Sequence, residues 1–198
     1  MQNRFDLYRN IHKGIRVMLL DLVQRAGRTD YTDSEAVASL TPEVRDIFEL
    51  LESHAHTEDM FIMPLLRKIA PELAQEFDEA HEDQEARLPG LLAALERLDP
   101  ASPEAAAQGH RFTVQLSRIA GELLTHMSDE ELELNPALWS QTTDQTLGDI
   151  EQQIVGSVPP DKMMRYLRWM VPAMNPRERE EFAAVLPPPV RELVATLV

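Results

Sequence analysis

The feature that most restricts this chain is an arrangement of polar residues that occurs twice, 72 positions apart: His54-x3-Glu58-x5-Pro64 and His126-x3-Glu130-x5-Pro136. Both copies interrupt apolar stripes of helical spacing. The first runs Ile47, Leu51, His54, Glu58, Phe61, Leu65, and the second Phe112, Leu116, Ile119, Leu123, His126, Glu130. Residues four apart on a helix share a face, separated by roughly 6 Å along the axis. Each His–Glu pair can therefore reach one point, and that point lies on the face the stripe turns toward the core. A carboxylate left unpaired there costs several kcal/mol, on the order of the desolvation penalty of a buried ion. Such a chain must neutralise its own interior.

Each copy is preceded by one more histidine on an apolar stripe. His12 stands 42 positions before His54 among Phe5, Tyr8, Ile15, Leu19 and Leu22, and His81 stands 45 before His126 among Phe77, Leu88, Leu92 and Leu95. The chain thus reads as two halves, each a helix with one histidine followed by a helix with His-x3-Glu. Helices are expected from about Asn3 to Arg25, from a Thr41–Pro42 N-cap and first turn, from Pro71 to about Leu98 with "LPG" at 88–90 as a kink, and from a Ser102–Pro103 opening. Short connections between four such helices predict an all-α, antiparallel four-helix bundle over residues 1–138. From about Trp139, shorter proline-punctuated segments predict a C-terminal helical extension over 139–198. Its face of Met163, Leu167, Met170, Val171 and Met174 must cover the bundle, a second copy in a homodimer, or a protein partner.

Composition removes several alternatives. The net charge of -15 repels phosphate backbones and anionic lipid, so neither nucleic acid nor membrane is an expected partner. The absence of cysteine excludes disulfides, thiolate metal sites and thiol nucleophiles within this sequence. The N-terminus has no apolar signal-type region, and no apolar run approaches bilayer length, so the expected location is the cytoplasm.

Four imidazoles and two carboxylates on the inward stripes of four helices suit divalent metal ions bound by nitrogen and oxygen ligands, with iron, zinc and manganese all compatible. The expected ligands are His12, His54, Glu58, His81, His126 and Glu130. His56 and His110 fall off the stripes and read as surface residues, and Asp59, Asp129 and Glu131 as members of the solvated face. Tyr8, one turn before His12, reads as a packed core aromatic or as a hydrogen-bond donor to a bound species. Phe61, Met60 and Leu123 are the apolar neighbours expected to restrict water.

These residues resemble the hemerythrin-like, HHE cation-binding domain, and the likeness covers about residues 1–138. The resemblance implies a four-helix bundle holding a non-haem di-iron centre, with Glu58 and Glu130 bridging two Fe ions and His12, His54, His81 and His126 completing the ligand set. The motif prolines Pro64 and Pro136 also fit. One position departs: oxygen-carrying hemerythrins place a second histidine four residues after the third-helix one, where this chain has Glu85. That departure points away from a simple oxygen carrier and toward the varied bacterial members. The function it implies is binding of a small diatomic ligand (O2 or NO) or peroxide for sensing or redox and iron homeostasis, rather than dedicated enzymatic turnover. Iron storage or delivery, and an interaction module with a structural metal, are the rival expectations.

Overall fold

A computed structural model describes residues 4–197, apart from the side chains of Glu85, Pro189 and Leu193. Among the described residues the secondary structure is helical throughout: α1 (Arg9–Arg28), α2 (Ser34–Phe61), α3 (Met63–Ile69), α4 (Pro71–Glu96), α5 (Ala105–Asp129), a π-helical turn (Glu130–Leu134), α6 (Asn135–Gln141), α7 (Asp144–Ser157), α8 (Pro160–Ala173), α9 (Pro176–Val185) and α10 (Pro188–Ala195). Helices α1, α2, α4 and α5 form the antiparallel bundle, each packed against its two neighbours in a closed ring. The expected all-α bundle is the observed one.

Boundaries differ where local capping outweighs the proline signal. The expected start of α1 at Asn3 falls outside the described residues, and the observed helix begins at Arg9, where Asp6 Oδ1 accepts from the Tyr8 and Arg9 amides. Helix α2 begins at Ser34, seven residues before Thr41, because Asp33 caps it by accepting from the Glu35 amide at 2.9 Å. Pro42 is carried inside that helix, and Thr41 Oγ1 donates to the Val37 carbonyl at 2.8 Å. Pro89 likewise lies within α4. The last bundle helix opens at Ala105, after turns that contain Ser102 and Pro103.

Both motif prolines sit at the start of a short helix, Pro64 in α3 and Pro136 in α6. Proline cannot donate to the carbonyl four residues back, so each motif helix is interrupted about one turn beyond its glutamate. After Glu58 the break is a single turn at Ile62, whose amide donates to the Glu58 carbonyl at 2.8 Å. After α5 the chain instead widens into the π turn that starts at Glu130, closed by the Asn135 amide on the Glu130 carbonyl.

Two apolar layers enclose the middle of the bundle. One contains Ile15, Leu19, Leu22, Leu51, Leu88, Leu116 and Leu123. The other contains Tyr8, Ile62, Met63, Leu66, Phe77, Leu134 and Leu138, and is closed by Leu147 and Ile150 from α7. The extension is therefore part of the core. Arg4 donates to the Trp139 and Thr142 carbonyls at 2.8 and 2.9 Å, and Trp139 Nε1 donates to the Phe5 carbonyl at 2.7 Å, tying the N-terminal segment to α6 and α7.

The methionine-rich face of α8 is also used inside the chain. Tyr166 is buried and its hydroxyl donates to the Leu50 carbonyl at 2.6 Å, while Met170 packs on the bundle core and Leu167 and Val171 join Val194 of α10. Helix α8 lies close along α1 because Gly14 has no side chain: a Cβ there would stand 2.8 Å from Met170 Cγ and 2.9 Å from its backbone nitrogen. No helix among the described residues is long and apolar enough to cross a membrane.

Candidate metal centre

Between the two apolar layers, the stripe histidines and glutamates meet. His12, Glu58, His81 and Glu130 are 0 %, 4 %, 2 % and 1 % exposed, which makes them, with Asn135, the buried polar residues of the described chain. They fall into two compact groups, His12–His54–Glu58 and His81–His126–Glu130, each able to present three ligand atoms within 4.8 Å of one another. The grouping follows the sequence repeat: each half of the chain builds its own trio.

The two trios are joined by their carboxylates. Glu58 Oε1 stands 3.2 Å from His54 Nε2 and 3.8 Å from His12 Nε2, while Glu58 Oε2 stands 3.5 Å from His81 Nε2. Glu130 mirrors it, with Oε1 3.4 Å from His126 Nε2 and 3.9 Å from His81 Nε2, and Oε2 3.3 Å from His12 Nε2. Each carboxylate thus offers one oxygen to each histidine pair.

The outer ring nitrogens are held by two carboxylates that the stripe pattern does not single out. His12 Nδ1 is 3.0 Å from Glu131 Oε1, and His81 Nδ1 is 2.8 Å from Asp59 Oδ1. An Nδ1–H donated outward leaves the Nε2 lone pair free and aims it inward, the arrangement that orients metal-bound imidazoles. Asp59 and Glu131 are thus half-buried partners of the site rather than members of a solvated face, with 33 % and 30 % of their side chains exposed. The repeat carried the signal for them: an acidic residue follows the motif glutamate in both copies, Glu58–Asp59 and Glu130–Glu131. Each orients the lone histidine of a neighbouring helix. Arg16 donates to the same Glu131 oxygen at 2.7 Å.

The electrostatics record the strain of gathering these groups. Burial opposes charge on His12 and His81, but the contacts with Glu131 and Glu58 for the first, and with Asp59 and Glu58 for the second, push both imidazoles up to about 9. His54 goes the other way, down to about 3, through burial and the neighbouring His12. Burial and the facing Glu130 push Glu58 up to about 7. Glu130 is lowered despite its burial, because His126 and His12 surround it. Two carboxylates in one buried site repel each other, and cations among them are the natural remedy.

The donor set fits a pair of divalent ions. His12 Nε2, His54 Nε2, Glu58 Oε1 and Glu130 Oε2 are buried without any hydrogen-bond partner, and they converge on one region. Uncompensated polar atoms of this kind are rare in folded proteins. In the other trio, His81 Nε2 and His126 Nε2 lie 3.0 Å apart. Two nitrogens each about 2.1 Å from one ion, at right angles, would stand about that far apart. The set contains nitrogen and oxygen donors only, which suits iron, manganese or zinc.

His56 and His110 are exposed. Glu85 lies on α4 one turn after His81, and its side chain is outside the described residues. Leu123 is buried beside the site and Phe61 packs in the α7-capped layer, whereas Met60 is 55 % exposed and shields nothing. Tyr8 is buried, its ring centroid 5.0 Å from that of His12, and its hydroxyl has no partner.

A four-helix bundle with imidazole and carboxylate donors converging between two apolar layers defines a metal-binding helical protein. The family model of the hemerythrin HHE cation-binding domain matches residues 3–138, and the chain belongs to that family. No match to a curated protein was found.

Proposed function

We propose that the chain holds a di-iron centre and binds O2, NO or peroxide there, serving sensing or redox and iron homeostasis in a bacterial cytoplasm. The observation that carries this reading is the division of the four carboxylate oxygens of Glu58 and Glu130 between two histidine pairs. His12 and His54 would hold one ion and His81 and His126 the other, with Glu58 and Glu130 each able to offer an oxygen to both pairs. Glu58 and Glu130, with Asp59 and the Arg16-paired Glu131 behind the imidazoles, supply negative charge that would offset that of the two ions.

Iron would supply reversible one-electron chemistry and an affinity for small ligands. The chain supplies the surroundings. A cavity of about 20 Å³ borders His54, Glu58, His81 and His126 and is walled by Leu51 and Leu123. That is room for about one water-sized sphere, which the ions held by these same residues would take up. Asp59 and Glu131 hold the outer ring nitrogens of His81 and His12 and so aim the inner ones at the site. The burial of His12 and Glu130 favours retention of the ions over the ready exchange that an iron store requires.

The test is elemental analysis of the full chain, expressed with ample iron and purified without chelators or a histidine tag. About two irons per chain are expected for a di-iron carboxylate bundle. One ion or none, or zinc alone under those conditions, would overturn the reading.

A further inference from the structure

The small space at the metal centre is bordered by Gln84 as well as by the proposed ligands. Gln84 and His126 also line a groove of about 570 Å³ on the outside of the bundle, along the seam between α4 and α5. These two side chains are what the inner space and the outer groove have in common. We propose that this seam is the way by which divalent ions reach the centre and that Gln84 is its gate, a side chain that must swing aside before an ion can pass. The inference rests on the paired-metal reading for what travels along the seam.

A metal site enclosed in a bundle needs a path of entry, and two spaces come near this one. Beneath the extension, a chamber of about 420 Å³ touches His54 and Glu58. It is closed toward the donors, because His54 Nε2, Glu58 Oε1 and the Tyr8 hydroxyl are each fully buried. Its dividing side chains are also proposed ligands, which an ion already in place would hold still. At the seam the divider beside His126 is Gln84, which belongs to neither trio. It can move while every inward donor keeps its position.

The surroundings of Gln84 suit a side chain that turns. It is half-buried, and its side-chain amide has no hydrogen-bond partner among the described residues. No bond within the protein has to break when it moves, and an amide turned outward is satisfied by water. One turn further along α4 the seam is fastened: Arg87 donates to Asp83 at 2.7 Å and pairs with Glu122 of α5 at 2.6 Å. Passage is thereby confined to the level of Gln84. The groove outside is roomy because of Gly121, where a Cβ would meet nothing within 4 Å. Asp83, Glu122 and Asp129 line it against Arg87 and Arg118, a surplus of negative charge that draws cations rather than anions.

A gate has a kinetic signature that a ligand lacks. It changes entry and exit by the same factor and leaves the affinity alone, since a barrier lowered on one path is lowered in both directions.

The test follows Co²⁺ entering the full chain stripped of metal, by the visible absorption that Co²⁺ gains on binding, with release into an excess of chelator as the reverse rate. Gln84→Ala is expected to speed uptake and release about tenfold each and to leave the affinity within about twofold of the parent. Gln84→Met, of similar length, should restore the parent rates. Gly121→Leu fills the groove from open space and should slow both rates about fivefold, with unchanged helical circular dichroism. Val155→Trp narrows the chamber beneath the extension from a position that is 54 % exposed, and should leave both rates as they are. Parent-like rates in Gln84→Ala, a weakened affinity in that variant, or slowing by Val155→Trp rather than by Gly121→Leu would overturn the proposal, while about two ions bound per chain would leave the paired-metal reading intact. Parent protein that takes up no Co²⁺ would overturn both.

Discussion

Replacing the outer carboxylates isolates the contribution of imidazole orientation to metal affinity. Asp59→Asn and Glu131→Gln keep side-chain size and leave all six inward donors in place. Each removes one charge-assisted contact, to His81 Nδ1 at 2.8 Å or to His12 Nδ1 at 3.0 Å. Hydrogen bonds to charged groups are worth roughly 1.5–3 kcal/mol, and loss of such an outer partner typically costs about 10–100-fold in metal affinity, which is about 1.4–2.7 kcal/mol. The two variants should not be equal. Glu131 shares its bonded oxygen with Arg16 at 2.7 Å, so part of its charge is already compensated, whereas Asp59 makes the shorter contact to its histidine. Asp59→Asn is therefore expected to lose more, near the upper end of that range, and Glu131→Gln less, near the lower. Competition of each loaded protein against a graded series of chelators reads the affinity directly, with circular dichroism confirming the fold. Affinities within about twofold of the parent in both variants, or a larger loss in Glu131→Gln than in Asp59→Asn, would refute the orientation argument.

Glu58→Ala combined with Glu130→Ala should abolish the paired site, and a double variant that still binds two ions by elemental analysis would show that the glutamates do not span them. In protein stripped of metal, His12 and His81, raised to about 9, hold protons in the folded state that the unfolded chain releases above about 6.5. The stability they contribute is complete below that value and is lost as pH rises through about 9, so urea midpoints should fall between pH 7 and 9, and constant midpoints there would contradict it. Loaded protein should lack this fall and instead release metal on acidification, as protons compete for the imidazoles. Gly14→Ala places a Cβ 2.8 Å from Met170 Cγ, which should cost about 1–3 kcal/mol by forcing α8 off α1 and should speed proteolysis beyond residue 159; unaltered proteolysis would show that the close approach is dispensable.

The convergence of the six stripe residues was legible in the sequence because a helix converts spacing directly into direction. Once His54–Glu58 and His126–Glu130 are placed on inward stripes, the period of 3.6 residues leaves them few other places to point. The family likeness followed from those same positions, all of which lie within the matched residues 3–138. The outer carboxylates were misplaced for a related reason. Asp59 and Glu131 sit about 100° around the helix from the stripe, which on an isolated helix is the flank. Only the neighbouring helices turn that flank into contact, by bringing His81 to Asp59 and His12 to Glu131.

By itself, then, the sequence determined the helical class, the duplicated halves and the six inward donors, because each follows from local periodicity and the cost of burying unpaired polar groups. What only the tertiary structure decided is how the halves share their carboxylates and where the extension goes. Glu58 reaches both His54 on its own helix and His81 on another, a relation between residues far apart in sequence that depends on the packing of α2 against α4. The methionine-rich face of α8 could have covered several surfaces; the missing side chain at Gly14 seats it on α1, and the span of α7 to α10 leaves an apolar chamber beside Tyr8. Such a space belongs to no single segment, so no spacing in the chain encodes it.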